Sequence, residues 1–455
     1  MLNRFYYDII QKNAYKRGMI MEKLSFNLTR NDGKIKILNA TNGGPIHKRH
    51  ANDQYRSNFI DYKNARIPYS RNHDSGVCGI YGGPYSHDVS KIFTNFDADE
   101  NDPNSYDFAC TDEAILTCLE AGTKTFFRLG ETIEHQIKKH ATLPPKDFHK
   151  WARICEHIIR HYTEGWADGF YHDMPYWEIW NEPDLDKDDS PNKRCWGGTK
   201  AQFFDFYEIA AKHLKKCFPH LKIGGPALAG NLEWEAEFVE EMQKREVPLD
   251  FFSWHRYLVE PTSLIGRANQ IRNSLDSHGY TKTETIFNEW NYVKNWHDKF
   301  VYSIECMHGI KGGAFMMAVM TMCQHLPIDM LMYYDTRPTT FNGAFDYYTL
   351  RPLKGYYALK WSGDLYDSDN EVICEDEIKN IYTLCAVKKN KAEIVITYYS
   401  DEENLPDKEL TIDLGRKGKY EIYLVDETHD GELIETTENL TFVIKQNTFI
   451  KIKEI

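Results

Sequence analysis

Between residues 65 and 362 the chain alternates between short apolar runs and longer amphipathic segments. Eight of the short runs have the apolar, β-branched and aromatic character of buried strands. They are residues 65–71, 88–93, 124–130, 176–182, 222–228, 250–257, 283–289 and 329–335. In the segment 147–162, Trp151, Cys155, Ile158 and Tyr162 recur at the spacing of one helix face. Strands alternating with helices predict an α/β fold, a (β/α)₈ TIM barrel over residues 46–362.

The pattern changes after Trp361. Short strands of alternating polarity, joined by turn residues such as Asp-Gly, predict a C-terminal antiparallel, β-sandwich-like accessory domain over residues 363–455. The stretch 23–40 has the same character, so we expect residues 22–45 to join that domain through N-terminal strands. Residues 1–21 are expected to be a poorly ordered extension, and both Met1 and Met21 remain possible starts.

Composition narrows the classes of function. A length of 455 residues suits a barrel with a smaller module. The net charge of −13 argues against a nucleic-acid partner, which would need a basic surface. No apolar run approaches the roughly 18 residues of a membrane helix, and the N-terminus lacks a signal peptide's apolar core. The 10 cysteines form no Cys-x-x-Cys pair, which indicates reduced thiols and a cytoplasmic protein. Monomer and homo-oligomer are both compatible with these features.

Two of the predicted strands end in an Asn-Glu pair, at Glu182 and at Glu289. In the predicted barrel these strands are the fourth and the seventh, so their tips lie across the barrel mouth from each other. Glycoside cleavage needs two carboxyl groups that flank the scissile bond. Either motif alone could simply end a strand, but the two together predict a two-carboxylate site without cofactor or metal.

The segment Trp-Glu-Ile-Trp-Asn-Glu-Pro at 177–183 resembles the acid/base motif of clan A glycoside hydrolases, particularly family 39. Residues 71–73, 224–227, 255–257 and 341–345 resemble further motifs of that family, and the match covers roughly residues 60–362. The resemblance implies a (β/α)₈ barrel with a β-rich accessory module and a retaining β-xylosidase or α-L-iduronidase activity. It also implies that Glu182 is the general acid/base and Glu289 the nucleophile.

Several neighbouring residues are predicted to support these roles. Arg71 and Tyr257 would keep Glu289 ionised, and burial among aromatic residues would raise the pKa of Glu182. Asn181 is expected to donate to the sugar 2-hydroxyl. The carboxyl groups of Glu182 and Glu289 are expected to lie roughly 5–5.5 Å apart, the retaining geometry. The remaining predicted substrate contacts are His73, His255, Trp290, Tyr334 and Asp335. Glu178 points inward below Glu182 and is interpreted as a structural carboxylate, with Arg128 as its expected partner.

The sequence leaves the substrate open. We expect a retaining exo-glycosidase that acts on short oligosaccharides or small glycosides, β-xylosidase-like. The alternatives are another clan A glycosidase (β-glucosidase, α-L-arabinosidase or uronidase) and an inactive sugar-binding barrel. Asp335 would repel a uronic acid carboxylate, whereas Arg256, Arg337 and Lys354 could bind one.

Overall fold

The computed structural model describes residues 21–46, 57–72 and 87–455. Within these ranges a closed barrel is followed by an accessory module of two sheets. The first strand, β1 (Met21–Ser25), belongs to the accessory module. The predicted extension before Met21 lies outside the described residues.

Eight parallel strands, β2 to β9, form the closed barrel, and β9 pairs with β2 to complete it. They are β2 (Ile37–Asn42), β3 (Tyr69–Asn72), β4 (Lys124–Leu129), β5 (Tyr176–Ile179), β6 (Lys222–Leu228), β7 (Phe251–His255), β8 (Glu284–Trp290) and β9 (Met330–Tyr333). Most strand residues are buried on both faces, because helices cover the outside and side chains fill the inside. The predicted TIM barrel is confirmed.

Helices connect the strands and surround the barrel. They are α1 (Phe59–Asn64), α2 (Val89–Ile92), α3 (Ala109–Glu120), α4 (Phe148–Glu164), α5 (Lys200–Cys217), α6 (Leu232–Lys244), α7 (Leu264–Ser277), α8 (Phe300–His308), α9 (Ile310–Gln324) and α10 (Lys354–Tyr366), with 3₁₀ turns at Pro103–Ser105 and Pro261–Ser263. Local sequence sets several of their ends. The Asp147 side chain accepts from Lys150 N–H at the start of α4, and Gly165, at φ 75°, ends that helix. Thr199 and Gln202 form a capping box at the start of α5.

Two strand predictions near the N-terminus are wrong. Residues 37–42 form the first barrel strand rather than part of the accessory sheet, so the barrel begins before residue 46. This strand pairs with β3 on one side and β9 on the other, partners that are distant in sequence. The run 88–93 is not a barrel strand, because Val89 and Ile92 lie one helical turn apart and are buried together in α2. The two errors offset each other, so β5 and β8 are still the fourth and seventh barrel strands.

The accessory module contains β10 (Asn370–Val372), β11 (Ile381–Lys388), β12 (Lys391–Tyr398), β13 (Lys408–Asp413), β14 (Tyr420–Val425), β15 (Asp430–Thr437), β16 (Thr441–Ile444) and β17 (Thr448–Glu454). One sheet has the order β1-β13-β16 and the other β10-β11-β12-β17-β14-β15. Apolar residues of both sheets, such as Leu24, Leu410 and Ile450, share one core. The larger sheet also packs on α9, which is buried along nearly its whole length. The predicted sandwich-like module is confirmed.

Two further predictions concern the environment of the protein. In the described ranges no helix combines the length and the apolar character that a bilayer crossing would require. The cysteines of those ranges carry free thiols.

Candidate active site

A cavity of about 1030 Å³ opens at the carboxyl ends of the barrel strands. Glu182 and Glu289 both line it, together with Asn181, His255 and Tyr257. Barrel enzymes carry their chemistry at this end, because the loops after several strands meet there. The two predicted carboxylates therefore face one cavity.

The backbone around Glu182 is held in an uncommon conformation. Trp180 and Glu182 have φ values of 71° and 46°, in the left-handed region that non-glycine residues rarely adopt. Glu182 N–H donates to the carbonyl of Ala227 at 2.9 Å. Two residues on, the buried carboxylate of Asp184 accepts from the N–H groups of residues 229, 230 and 231 at 2.7, 3.1 and 2.9 Å. These bonds tie the segment that carries Glu182 to the end of β6, and such strain is typical of functional sites.

The two carboxylates lie close together, with His255 between them. One oxygen of each carboxylate and a ring nitrogen of His255 all lie within 4.8 Å of one another. His255 Nδ1 is 2.8 Å from Glu182 Oε1 and 3.4 Å from Glu289 Oε2. Burial lowers the pKa of His255, which favours the neutral ring at neutral pH. A group of this kind can hold a proton in common.

Glu289 is almost completely buried, at 5% exposure. The Tyr257 hydroxyl donates to its Oε1 at 2.5 Å, and Arg71 Nη1 lies 3.5 Å from its Oε2. Burial nevertheless raises the pKa of Glu289 to about 7, with the negative charge of Glu182 acting in the same direction. His255, Arg71 and Tyr257 act in the opposite direction. The donors that the sequence predicted are present, but they offset the burial only in part.

A buried ionic network lies beneath the two carboxylates. Arg71 donates to Glu178 at 2.7 Å, to Asn181 at 2.6 Å and to Asn42 at 3.0 Å. Glu178 also accepts from Ser253 and Asn288, both at 2.6 Å. The expected partner of Glu178 was wrong, because Arg128 pairs with Asp88 at 2.8 Å instead. Arg71 therefore connects strand β3 to the ends of β2 and β5, and through Glu289 to β8.

The structure separates the predicted substrate contacts into two groups. Tyr334, like Asn181, His255 and Tyr257, lines the cavity. Trp290 and Asp335 are fully buried and do not line it; the Asp335 carboxylate is held by Arg337 at 2.7 Å and by the Thr339 hydroxyl at 3.0 Å. Arg71 is likewise buried beneath the site. His73 lies outside the described residues.

An aromatic wall of the cavity was not predicted from the sequence. Trp296, 51% exposed, stacks on Phe300 with the ring centroids 5.8 Å apart and contacts Phe341 and Tyr257. Faces of exposed aromatic rings suit the apolar faces of sugar rings. The available signal was the position of Trp296, in the loop that directly follows the Glu289 strand.

Two groups of side chains in the described ranges have metal-ligand geometry, with one ligand atom from each residue within 4.8 Å of the others. They are Glu182–His255–Glu289 in the cavity and Glu156–His213–Cys217 between α4 and α5. In each group an arginine already pairs with a carboxylate: Arg71 with Glu289 at 3.5 Å and Arg160 with Glu156 at 2.8 Å. A guanidinium beside each group repels a metal cation, which argues against metal binding there. The absence of a metal remains a prediction.

Comparison with known proteins places this architecture in a family. The sequence profile of the glycosyl hydrolases family 39 matches residues 81–432, well over half of the chain. The chain belongs to glycosyl hydrolases family 39. The match includes both Asn-Glu pairs and extends from the barrel into the accessory module.

This family 39 member is similar to two β-xylosidases. It is 29% identical over 187 residues to the enzyme of Geobacillus stearothermophilus. The matched segment covers 38% of this chain and 35% of that protein. It is 32% identical over 194 residues to that of Caldicellulosiruptor saccharolyticus, covering 40% and 36%. The matched segments thus span about a third of these relatives. A glucosidase structure from Croceicoccus marinus shares the fold, with a TM-score of 0.77 at 21% identity, over 96% of this chain and 99% of that one.

Proposed function

We propose that this family 39 protein is a retaining exo-glycosidase that acts on short oligosaccharides or small glycosides in the manner of a β-xylosidase. The observation that carries the proposal is the approach of Glu182 and Glu289, whose nearest oxygens lie within 4.8 Å. Retaining enzymes hold their carboxyl groups roughly 5–5.5 Å apart, whereas inverting enzymes leave roughly 6.5–9.5 Å for a water molecule. The short separation supports direct attack by a carboxylate on the sugar.

In the first step Glu289 attacks the anomeric carbon and forms a glycosyl-enzyme ester. Glu182 donates its proton to the departing glycosidic oxygen, so that the leaving group departs as an alcohol. In the second step Glu182, now a carboxylate, takes a proton from water, and the resulting hydroxide displaces Glu289 from the sugar. The products are a free sugar of retained configuration and the enzyme in its initial protonation state.

This sequence requires one proton on the pair of carboxylates. The raised pKa of Glu289, about 7, supports a pair that keeps one proton up to neutral pH. The Tyr257 hydroxyl and Arg71 both stabilise negative charge on Glu289, which favours the proton on Glu182. Asn181 accepts from Arg71 through Oδ1, so its role toward a sugar is donation from the amide nitrogen.

The cavity supports a substrate larger than one sugar ring. Its volume of about 1030 Å³ lies at the upper end of the range for small-molecule sites, roughly 300–1,000 Å³. Trp296, Tyr334 and Phe341 provide aromatic surface beside the two carboxylates. The similarity to two β-xylosidases supports xylose as the released sugar.

Two variants test the mechanism on an aryl glycoside chosen from a panel of xylosides, glucosides and arabinosides. Glu289→Ala should abolish turnover, and added azide should restore it by direct attack, giving a glycosyl azide of inverted configuration. In Glu182→Ala, azide should instead intercept the glycosyl-enzyme and give the retained configuration. Early-time NMR of the anomeric proton distinguishes the two products.

The exposed Glu438 provides a matched control, because Glu438→Ala removes a carboxylate outside the cavity. Near-normal turnover by Glu289→Ala would contradict the nucleophile assignment. The same azide configuration from both variants would contradict the retaining mechanism. If the unmodified protein binds sugars but turns over no glycoside of the panel, the enzymatic proposal itself fails.

A further inference from the structure

Arg256 directly follows strand β7 and lies between His255 and Tyr257 in sequence. Its backbone N–H donates to the carbonyl oxygen of Glu289 at 3.1 Å, which holds Arg256 beside strand β8. Its half-buried side chain lines the same cavity as Glu182 and Glu289. The guanidinium is therefore placed where a bound substrate would meet it.

Arg256 differs in its ion pairing from the other two arginines that line the cavity. Arg194 pairs with Asp186 at 2.8 Å, and Arg267 pairs with the buried carboxylate of Glu235 at 3.0 Å. Among the residues that the structure describes, no carboxylate oxygen lies within 4.0 Å of the Arg256 guanidinium, and no side chain or carbonyl accepts a hydrogen bond from it. Within the described ranges its positive charge therefore lacks the carboxylate partner that Arg194 and Arg267 have.

The surroundings make this arrangement unfavourable for the free protein. Burial lowers the pKa of Arg256, and the neighbouring charge of Arg267 lowers it further. A guanidinium that is partly removed from water is stabilised by an anion with which it can form paired hydrogen bonds. A planar carboxylate has the matching geometry.

The wall around Arg256 places that anion on one side of the site. Gly230 and Leu232 line the cavity with Arg256, and the Asp184 carboxylate binds the backbone of residues 229–231. Asp184 is two residues from Glu182, the proposed donor of a proton to the leaving group. The loop after β6 lies beside the end of β7, since a Cβ at Gly230 would lie 4.0 Å from the carbonyl oxygen of His255, the residue before Arg256. Arg256 therefore lies near the loop that Asp184 ties to the Glu182 segment.

We propose that Arg256 binds a carboxylate that the substrate carries on its leaving-group side, so that acidic, uronate-bearing oligosaccharides are the preferred substrates. The inference rests on the proposed glycosidase function and specifies its substrate class. Two other cations that the sequence suggested for this purpose are already paired: Arg337 with Asp335 at 2.7 Å and Lys354 with Asp430 at 2.8 Å. Neither lines the cavity.

The test compares two ligands that differ by one charge. They are xylo-oligosaccharides with a single glucuronic acid branch, and the same oligosaccharides after reduction of the carboxyl group to a primary alcohol. Calorimetry on the Glu289→Gln protein measures binding without turnover. The acidic form should bind roughly 10- to 100-fold more tightly, as expected for a charge-assisted pair, and added salt should reduce this ratio.

Adding Arg256→Gln to that protein should bring the ratio of affinities to about one, while Arg256→Lys, which keeps the charge, should keep part of it. Equal affinity of the two ligands, or a ratio that survives in Arg256→Gln, would overturn the inference. Failure of the glycosidase proposal has a separate signature, which is the absence of turnover on the neutral aryl glycoside panel.

Discussion

Replacing Glu289 by glutamine should remove activity and, at alkaline pH, make the protein more stable. The side chain is 5% exposed, and its pKa is raised from 4.5 to about 7, mainly by burial. A carboxyl group with a raised pKa in the folded state binds its proton more tightly when folded than when unfolded. Its contribution to stability is therefore fully present below about pH 4.5 and is lost as the pH rises through about 7.

The size of the effect follows from the two pKa values. One pKa unit corresponds to about 1.4 kcal/mol, so the carboxylate pair of Glu182 and Glu289, once it has lost its last proton, destabilises the fold by about 3 kcal/mol above pH 7. At pH 5 the penalty is below about 1 kcal/mol, because the folded protein still holds the proton. Glutamine has nearly the same shape and no charge. Its advantage over glutamate should therefore grow by about 2 to 3 kcal/mol between pH 5 and pH 8.

Urea unfolding at pH 5, 6, 7 and 8 measures this difference as the free energy of unfolding of the variant minus that of the unmodified protein. The exposed Glu438→Gln is the control, and its difference should not change with pH. A Glu289→Gln difference that stays constant from pH 5 to pH 8 would refute the argument. It would mean that Arg71 and Tyr257 offset the burial completely.

Three other substitutions test the supporting residues. Arg71→Met leaves the buried carboxylate of Glu178 without its cation and should cost about 3–5 kcal/mol in urea unfolding; adding Glu178→Gln should recover part of this loss, and no recovery would contradict the pairing. Asp184→Asn weakens three hydrogen bonds from the backbone that hold the segment carrying Glu182. It should therefore lower kcat about tenfold with KM little changed, and an unaltered kcat would contradict a positioning role. Tyr257→Phe removes a donor that lowers the pKa of Glu289, the proposed nucleophile, so the acidic limb of the kcat/KM profile should move to higher pH. An unmoved limb would contradict that contact.

The short-range features of the fold could be predicted from the sequence. Each of the six barrel strands from β4 to β9 overlaps an apolar run that was predicted, and helix α4 follows the spacing of its apolar residues. These patterns depend on neighbours within one or two turns of chain. The two Asn-Glu pairs belong to the same class of signal, because a strand end and its last side chains are local features.

The first barrel strand could not be assigned in this way. Residues 37–42 have the same apolar, β-prone composition as strands of the accessory module, and only pairing with β3 and β9 makes them part of the barrel. The ion pairs of the site depend on the closure of the barrel in the same way. Arg71 pairs with Glu178 because β3 and β5 are brought together by the barrel, while Arg128 is directed to Asp88.

The sequence by itself determined the order of strands and helices over most of the barrel and the position of both catalytic candidates at strand ends. Periodicity and chain order carry that information, because they report local conformation. Only the tertiary structure decided which charges meet and which remain alone. Trp290 ends β8 and Asp335 lies two residues after β9, yet neither lines the cavity. The sequence does not distinguish Arg256 from the paired Arg194 and Arg267, and only the positions of the described acidic side chains show which of these arginines has a carboxylate partner.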